Sequence, residues 1–172
     1  MTRHNLHAAG ATPATVVLDR AAVSWTAYSY AHDPRAVAGG GSYGTEAAQA
    51  LGLDPATVLK TLLVTLEGAP RPGLGVAVVP VARSLDLKSV GAALGVKRAG
   101  MAEPRVAERT TGYVVGGISP LGQRTLLPTV LDAGAAELPV VYVSGGRRGL
   151  DVGLAPADLV RLTAAVVAPI AR

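Results

Sequence analysis

Residues 24–30, SWTAYSY, mix apolar and hydroxyl-bearing positions with a period near two, which predicts a half-buried strand. Two longer runs rich in leucine and valine, VLKTLLVTLE (58–67) and LGVAVVPVA (74–82), flank the Pro/Gly-rich GAPRPG and predict a hairpin. Helix signals surround them. Thr12-Pro13 supplies an N-cap and a first-turn proline for a helix through about Ala22, and TEAAQALGL (45–53) is a short helix stopped by Gly52. Asp86 caps a helix ending at Gly95, residues 102–112 form another, and Pro156 opens a last one. Asp33-Pro34 breaks the first strand, with a loop at 36–42. Further strands are expected at 113–115, 124–131, 139–143 and 150–154, the last two joined by a turn at 144–149. Hairpins and separate helices without regular strand–helix alternation predict an α+β fold. Its sheet should be mixed, strongly bent and partly barrel-like, with helices outside. Residues 1–11 read as a loose arm and 12–172 as a single domain.

Composition sharpens this picture. Hydrophobic residues make up 49% of the 172 and charged residues 16%, enough for a real core. Phe is absent and there is one Trp, so valine, leucine, alanine and isoleucine must fill that core. With 21 Gly and 12 Pro, many turns and close backbone approaches are expected. The net charge of +4 lies wholly in residues 83–172, so a phosphate-bearing partner could dock there, although a solubilising basic surface explains the charge equally well. The absence of cysteine removes disulfides, thiol nucleophiles and thiolate metal sites. The first residues, MTRHNLHAAGATPA, lack the apolar stretch of a secretory signal, and no apolar run approaches the roughly 20 residues that span a bilayer. A cytoplasmic protein with no membrane partner is expected.

Chemistry has few candidates. On strand 58–67, Lys60 shares a face with Val58, Leu62 and Val64, so it either snorkels out at the strand end or projects into a cleft. GGISPLG (116–122) and SGGRRG (144–149) follow apolar strands; their bare backbone could approach an anion or oxyanion, or simply turn the chain at positive φ. Arg147 and Arg148 beside Gly145 and Gly146 would suit a phosphate. Neither loop has the spacing of a nucleotide-binding P-loop or dinucleotide fingerprint, and no G-x-S-x-G elbow frames Ser119 or Ser144. His4, His7 and His32 join no carboxylate cluster at ligand spacing, so neither metal nor other cofactor is expected. Tyr28, Tyr30 and Tyr43 could stack on a base or ribose, whereas Trp25, Tyr113 and Tyr142 read as packing.

Several segments in register resemble the YbaK/EbsC family: YSYAHDP (28–34), YGTEAAQALGL (43–53), KTLL (60–63), LDLK (85–88), TGYVVGGISPLGQ (111–123) and VSGGRRGLD (143–151). The resemblance spans roughly residues 12–170 and is nearest to the Cys-tRNA(Pro) deacylase branch, related to the editing domain of prolyl-tRNA synthetases. It implies trans-editing, the clearance of cysteine wrongly attached to tRNA(Pro). It also implies a tRNA acceptor end as partner, and prolyl-tRNA synthetase as a candidate second partner. The family's lysine falls on Lys60 and its G-x-x-x-P loop on Gly116 through Pro120, including Gly117 and Ser119. Its second loop falls on Ser144, Gly145, Gly146, Arg147 and Asp151, with Arg148 alongside, and its aromatics fall on Tyr30 and Tyr43. In the mechanism thus implied the substrate's own thiol attacks its ester. Lys60, Gly116 and Gly117 would be catalytic, and the remaining residues would bind substrate. Asp151 would accept a ribose hydroxyl or the ammonium, or else anchor its loop. An editor of Ala-tRNA(Pro) and a non-catalytic acceptor-end module are the alternatives. GGGS (39–42) looks like an insertion near Tyr43, and Arg147 stands where lysine is common, which turns a point cation into a planar fork.

Overall fold

The computed structural model describes residues 10–172; the N-terminal arm, with His4 and His7, lies almost wholly outside them. Helix α1 (Pro13–Arg20) starts as its sequence dictates. The Thr12 hydroxyl accepts from the Thr15 N–H, and the Thr15 hydroxyl reciprocates at the Thr12 N–H, closing a capping box behind the first-turn proline. Strand β1 (Trp25–Ser29) follows. The expected loop at 36–42 begins instead as a short helix, α2 (Pro34–Ala38), because the Asp33 carboxylate accepts from the Arg35 N–H and caps it. Helix α3 (Tyr43–Leu51) ends at Gly52 in the left-handed conformation, as expected.

The predicted hairpin forms from β2 (Leu59–Leu66) and β3 (Leu74–Pro80), paired antiparallel from Leu59↔Pro80 to Thr65↔Leu74. Asp86 caps α4 (Leu87–Ala93) through the Lys88 and Ser89 amides. A short β4 (Ala99–Met101), which carries no strand signal of its own, pairs with the far end of β2. Helix α5 (Pro104–Thr111) then ends at Gly112. The expected strand at 113–115 is absent. The Tyr113 side chain is buried and donates to the Leu121 carbonyl while Val114 is exposed, so the run forms an unpaired loop. The expected strand at 124–131 shrinks to β5 (Thr129–Asp132), capped by the one-turn α6 (Ala133–Ala136). Strand β6 (Val141–Arg147) runs through the expected turn, with a bulge between Ser144 and Arg147, and returns as β7 (Leu150–Leu154). Helix α7 (Pro156–Thr163) and β8 (Val166–Ala168) complete the chain.

The strands form two sheets, β1-β7-β6 and β4-β2-β3-β5-β8, the second mixed through the parallel β3–β5 and β5–β8 pairs. They meet at one bridge, Val58↔Tyr142, where the Tyr142 N–H donates to the Thr57 carbonyl at 3.0 Å. The sheet is therefore bent and does not close. The main core lies between the sheets and collects Leu59, Leu63, Val76, Val78, Val143 and Val152 with α1, α5 and α7. A smaller core behind β3, around Val79, Val90, Val130 and Ile170, seats α4.

Candidate functional site

Beyond the seam, β6 has left β2 and β4 has not yet joined it. A cavity of about 270 Å³ opens there. Lys60, Thr61 and Leu62 of β2, Ser144 and Asp151 of the smaller sheet, and Met101, Pro104 and Ile118 line it, together with Tyr30, Gly44 and the adjoining Tyr43 and Gly116. Six of the residues expected at a site, Tyr30, Tyr43, Lys60, Gly116, Ser144 and Asp151, therefore share one cleft although they come from five separate segments. Lys60 is among the residues that line it.

The electrostatics follow from burial. Asp151 is 6% exposed and burial pushes its carboxyl up to about 7. Burial also lowers the pKa of Lys60. Burial first, and the Asp151 charge second, raise Tyr30 to about 12, so it enters the site as a phenol. Neither Lys60 nor Asp151 has an ion-pair partner within 4.0 Å among the described residues. A cation and a carboxyl thus line one small, largely apolar space without neutralising each other by contact.

The glycines act by letting groups approach. Gly116 sits at φ +88, and a Cβ there would come within 2.5 Å of the Tyr43 ring. Its N–H makes no hydrogen bond among the described residues, whereas the neighbouring Gly117 N–H donates to the Val114 carbonyl at 2.9 Å. Gly117 lies outside the cavity, pressed on the Arg147 backbone, so its amide is committed to the turn.

The other expected site residues lie outside the cavity lining. Ser119 is fully buried and its hydroxyl accepts from the Leu121 N–H; Pro120 lines a separate hollow beside α1. The Gly145 carbonyl accepts from the Thr12 hydroxyl, and Gly146 packs on Tyr113 and Thr12. Arg147 keeps a buried Nε that has no partner among the described residues. Arg148 is exposed at the rim, where its Nε donates to the Val115 carbonyl at 2.9 Å and its guanidinium lies 5.0 Å from the Tyr43 ring centroid. It clasps two sides of the entrance.

Sequence reasoning missed the clasp behind Tyr43. Glu46 is buried; it accepts from the Asp33 N–H and meets His32 Nδ1 at 2.9 Å, while the His32 and Tyr43 rings stand 5.6 Å apart. The histidine beside Asp33-Pro34, ahead of a helix with an acid in its first turn, was the available signal. Glu108 likewise holds the Val115 N–H from α5.

The chain belongs to the aminoacyl-tRNA editing domain family, whose model matches residues 41–162. It is 37% identical over 116 residues to EbsC of Enterococcus faecalis, named as a candidate Cys-tRNA(Pro)/Cys-tRNA(Cys) deacylase; the match covers 67% of this chain and 69% of that protein. Its fold is similar to that of a candidate trans-editing enzyme for prolyl-tRNA synthetase, with TM-score 0.78, 25% identity, and coverage of 93% of this chain and 95% of the other. A hypothetical protein of known structure is also similar, with TM-score 0.80 and 25% identity over 94% of this chain and all of the other. Among the described residues no helix is long and apolar enough to cross a membrane.

Proposed function

We propose that this protein is a trans-editing deacylase that clears Cys-tRNA(Pro), with the substrate's thiol as the nucleophile. One observation carries the reading: Lys60, Gly116, Ser144 and Asp151 line a single cavity in a chain that has no cysteine. The cysteine sulfur attacks the ester carbonyl. An S–C bond forms, the C–O bond to the ribose breaks, and the thiol proton ends on the ribose hydroxyl as a cyclic thiolactone departs. What the protein must supply is conformation and charge. The Gly116 N–H, which makes no hydrogen bond among the described residues, donates to the developing oxyanion, and orientation of this kind can contribute roughly 7–11 kcal/mol. Lys60 holds the terminal adenosine or its phosphate, Tyr30 and Tyr43 bear on sugar or base, and Arg148 meets the strand at the rim. Asp151 takes a ribose hydroxyl or the substrate ammonium. With so small a basic surface, tRNA identity is left to a prolyl-tRNA synthetase that hands over the acceptor end.

Product analysis on purified Cys-, Ser- and Ala-tRNA(Pro) tests this. Thiolactone should appear first from Cys-tRNA, with Ser-tRNA much slower because an alcohol attacks less readily, and Lys60→Ala should lose most turnover while staying folded. Equal rates on Cys- and Ser-tRNA, or faster clearance of Ala-tRNA, would make water the nucleophile and overturn the thiol mechanism. Acceptor-end binding without any deacylation would make the protein a binding module.

A further inference from the structure

Strand β2 carries its backbone hydrogen bonds in strict alternation. The Leu66 N–H donates to the Gly73 carbonyl and the Val58 carbonyl accepts from the Val81 N–H, both at 2.8 Å, which assigns the even-numbered residues to the β3 side. Odd-numbered residues face the other edge. There the Leu63 carbonyl accepts from the Ala102 N–H and the Glu67 N–H donates to the Arg98 carbonyl, each at 3.0 Å. Between Leu63 and the bridge at Val58 no strand covers that edge. The Val64↔Met101 register, continued, would set Pro104 opposite Thr61, but the chain has turned into α5 by then and proline has no N–H to give. The Thr61 N–H and carbonyl therefore face the cavity with no strand across from them. Its Oγ1 is also buried without a hydrogen-bond partner among the described residues. The Thr61 N–H and carbonyl are thus left without a partner on that edge, and its buried Oγ1 also lacks one, in a largely apolar lining where unpaired groups are costly.

We infer that Thr61 is the docking point of the aminoacyl group itself, which adds to the bare edge of β2 as a strand one residue long. An aminoacyl ester has its ammonium and its carbonyl on either side of one Cα, as a strand residue has its N–H and C=O. A residue in a hydrogen-bonded antiparallel pair exchanges both bonds with its partner. The Thr61 N–H then donates to the ester carbonyl, the Thr61 carbonyl accepts from the ammonium, and Oγ1 accepts a second ammonium proton. The inference rests on the aminoacyl-tRNA reading above and deepens it: the α-amino group becomes a recognition element as well as the side chain.

The decisive comparison is cysteinyl-tRNA against 3-mercaptopropionyl-tRNA, which keeps the thiol and lacks the amine. Wild-type protein should lose roughly tenfold to a hundredfold in kcat/KM without the amine, the range for a hydrogen bond to a charged group. Thr61→Val should lower kcat/KM on cysteinyl-tRNA by about tenfold and have little effect on the deaminated substrate, and Thr61→Ser should restore most of the difference. Equal wild-type rates on the two substrates overturn the inference, as does a Thr61→Val loss that is the same on both, because a structural role would not distinguish them. Should Thr61→Val fail to fold, the wild-type comparison still decides. Binding of amide-linked cysteinyl-adenosine and its deaminated analogue separates docking from chemistry. A preference for the amine without any turnover of Cys-tRNA would keep the docking point and sink the deacylase reading; turnover without that preference would do the reverse.

Discussion

Asp151 shows what the cleft does to a single residue. It pairs in register with Tyr28 on one side and Ser144 on the other, and burial has pushed its carboxyl up to about 7 from an ordinary value of 3.8. Because the folded state holds this proton more tightly than the unfolded chain, Asp151 makes stability fall as pH climbs from about 4 to about 7, after which its contribution is level. Its titratable neighbours in the cavity include Tyr30, which stays protonated to about 12, and Lys60, whose pKa burial lowers. Asp151→Asn should flatten the dependence and raise Tm at pH 8, read from thermal melts between pH 4.5 and 8. An unchanged slope in the variant would place the titration elsewhere.

Among the elements, the 113–122 loop is where geometry weighs most. Gly116→Ala would meet two obstacles, a left-handed φ that costs an ordinary residue roughly 1–2 kcal/mol and a Cβ only 2.5 Å from the Tyr43 ring. Stability should drop by more than the backbone cost alone, and adding Tyr43→Ala should return only the excess, measured by denaturant unfolding of the single and double variants. The same loop marks the limit of legibility. Caps and stops such as Thr12-Pro13, Gly52 and Asp86 act within a few residues, so their helices could be read directly. Tyr113-Val114-Val115 looks like a strand because pairing selects apolar residues, but of the three only Tyr113 is buried, its hydroxyl on the Leu121 carbonyl, and Val114 is exposed. Gly145 and Gly146 suggested a turn, but they are strand residues in a bulge packed against Thr12, on a helix more than a hundred residues away. Lys60 and Gly116 were legible as candidates from strand alternation and the glycine-rich loop, and Asp151 through the resemblance. Thr61 was not, because an unpaired edge becomes visible only when every neighbouring strand is in place.

For the whole molecule, two basic side chains stand at the cleft, Arg148 against Tyr43 and Val115 and Lys60 in the lining. If the acceptor end enters beside Arg148 and reaches Lys60, each phosphate contact should contribute about 0.7 to the slope of log affinity against log salt. Removing Arg148 or Lys60 singly should lower that slope by about one such step, and a slope unmoved by either change would direct the strand elsewhere. The two sheets add a further constraint. They meet at one bridge, Val58↔Tyr142, with the Tyr142 ring set edge-on to Tyr28 at 5.3 Å. Lys60 belongs to one sheet and Asp151 to the other, so the gap between them works like the jaws of a caliper whose screw is that joint. A substitution that wedges the joint by a fraction of an ångström would change the size of amino acid the protein accepts without touching any group the amino acid meets.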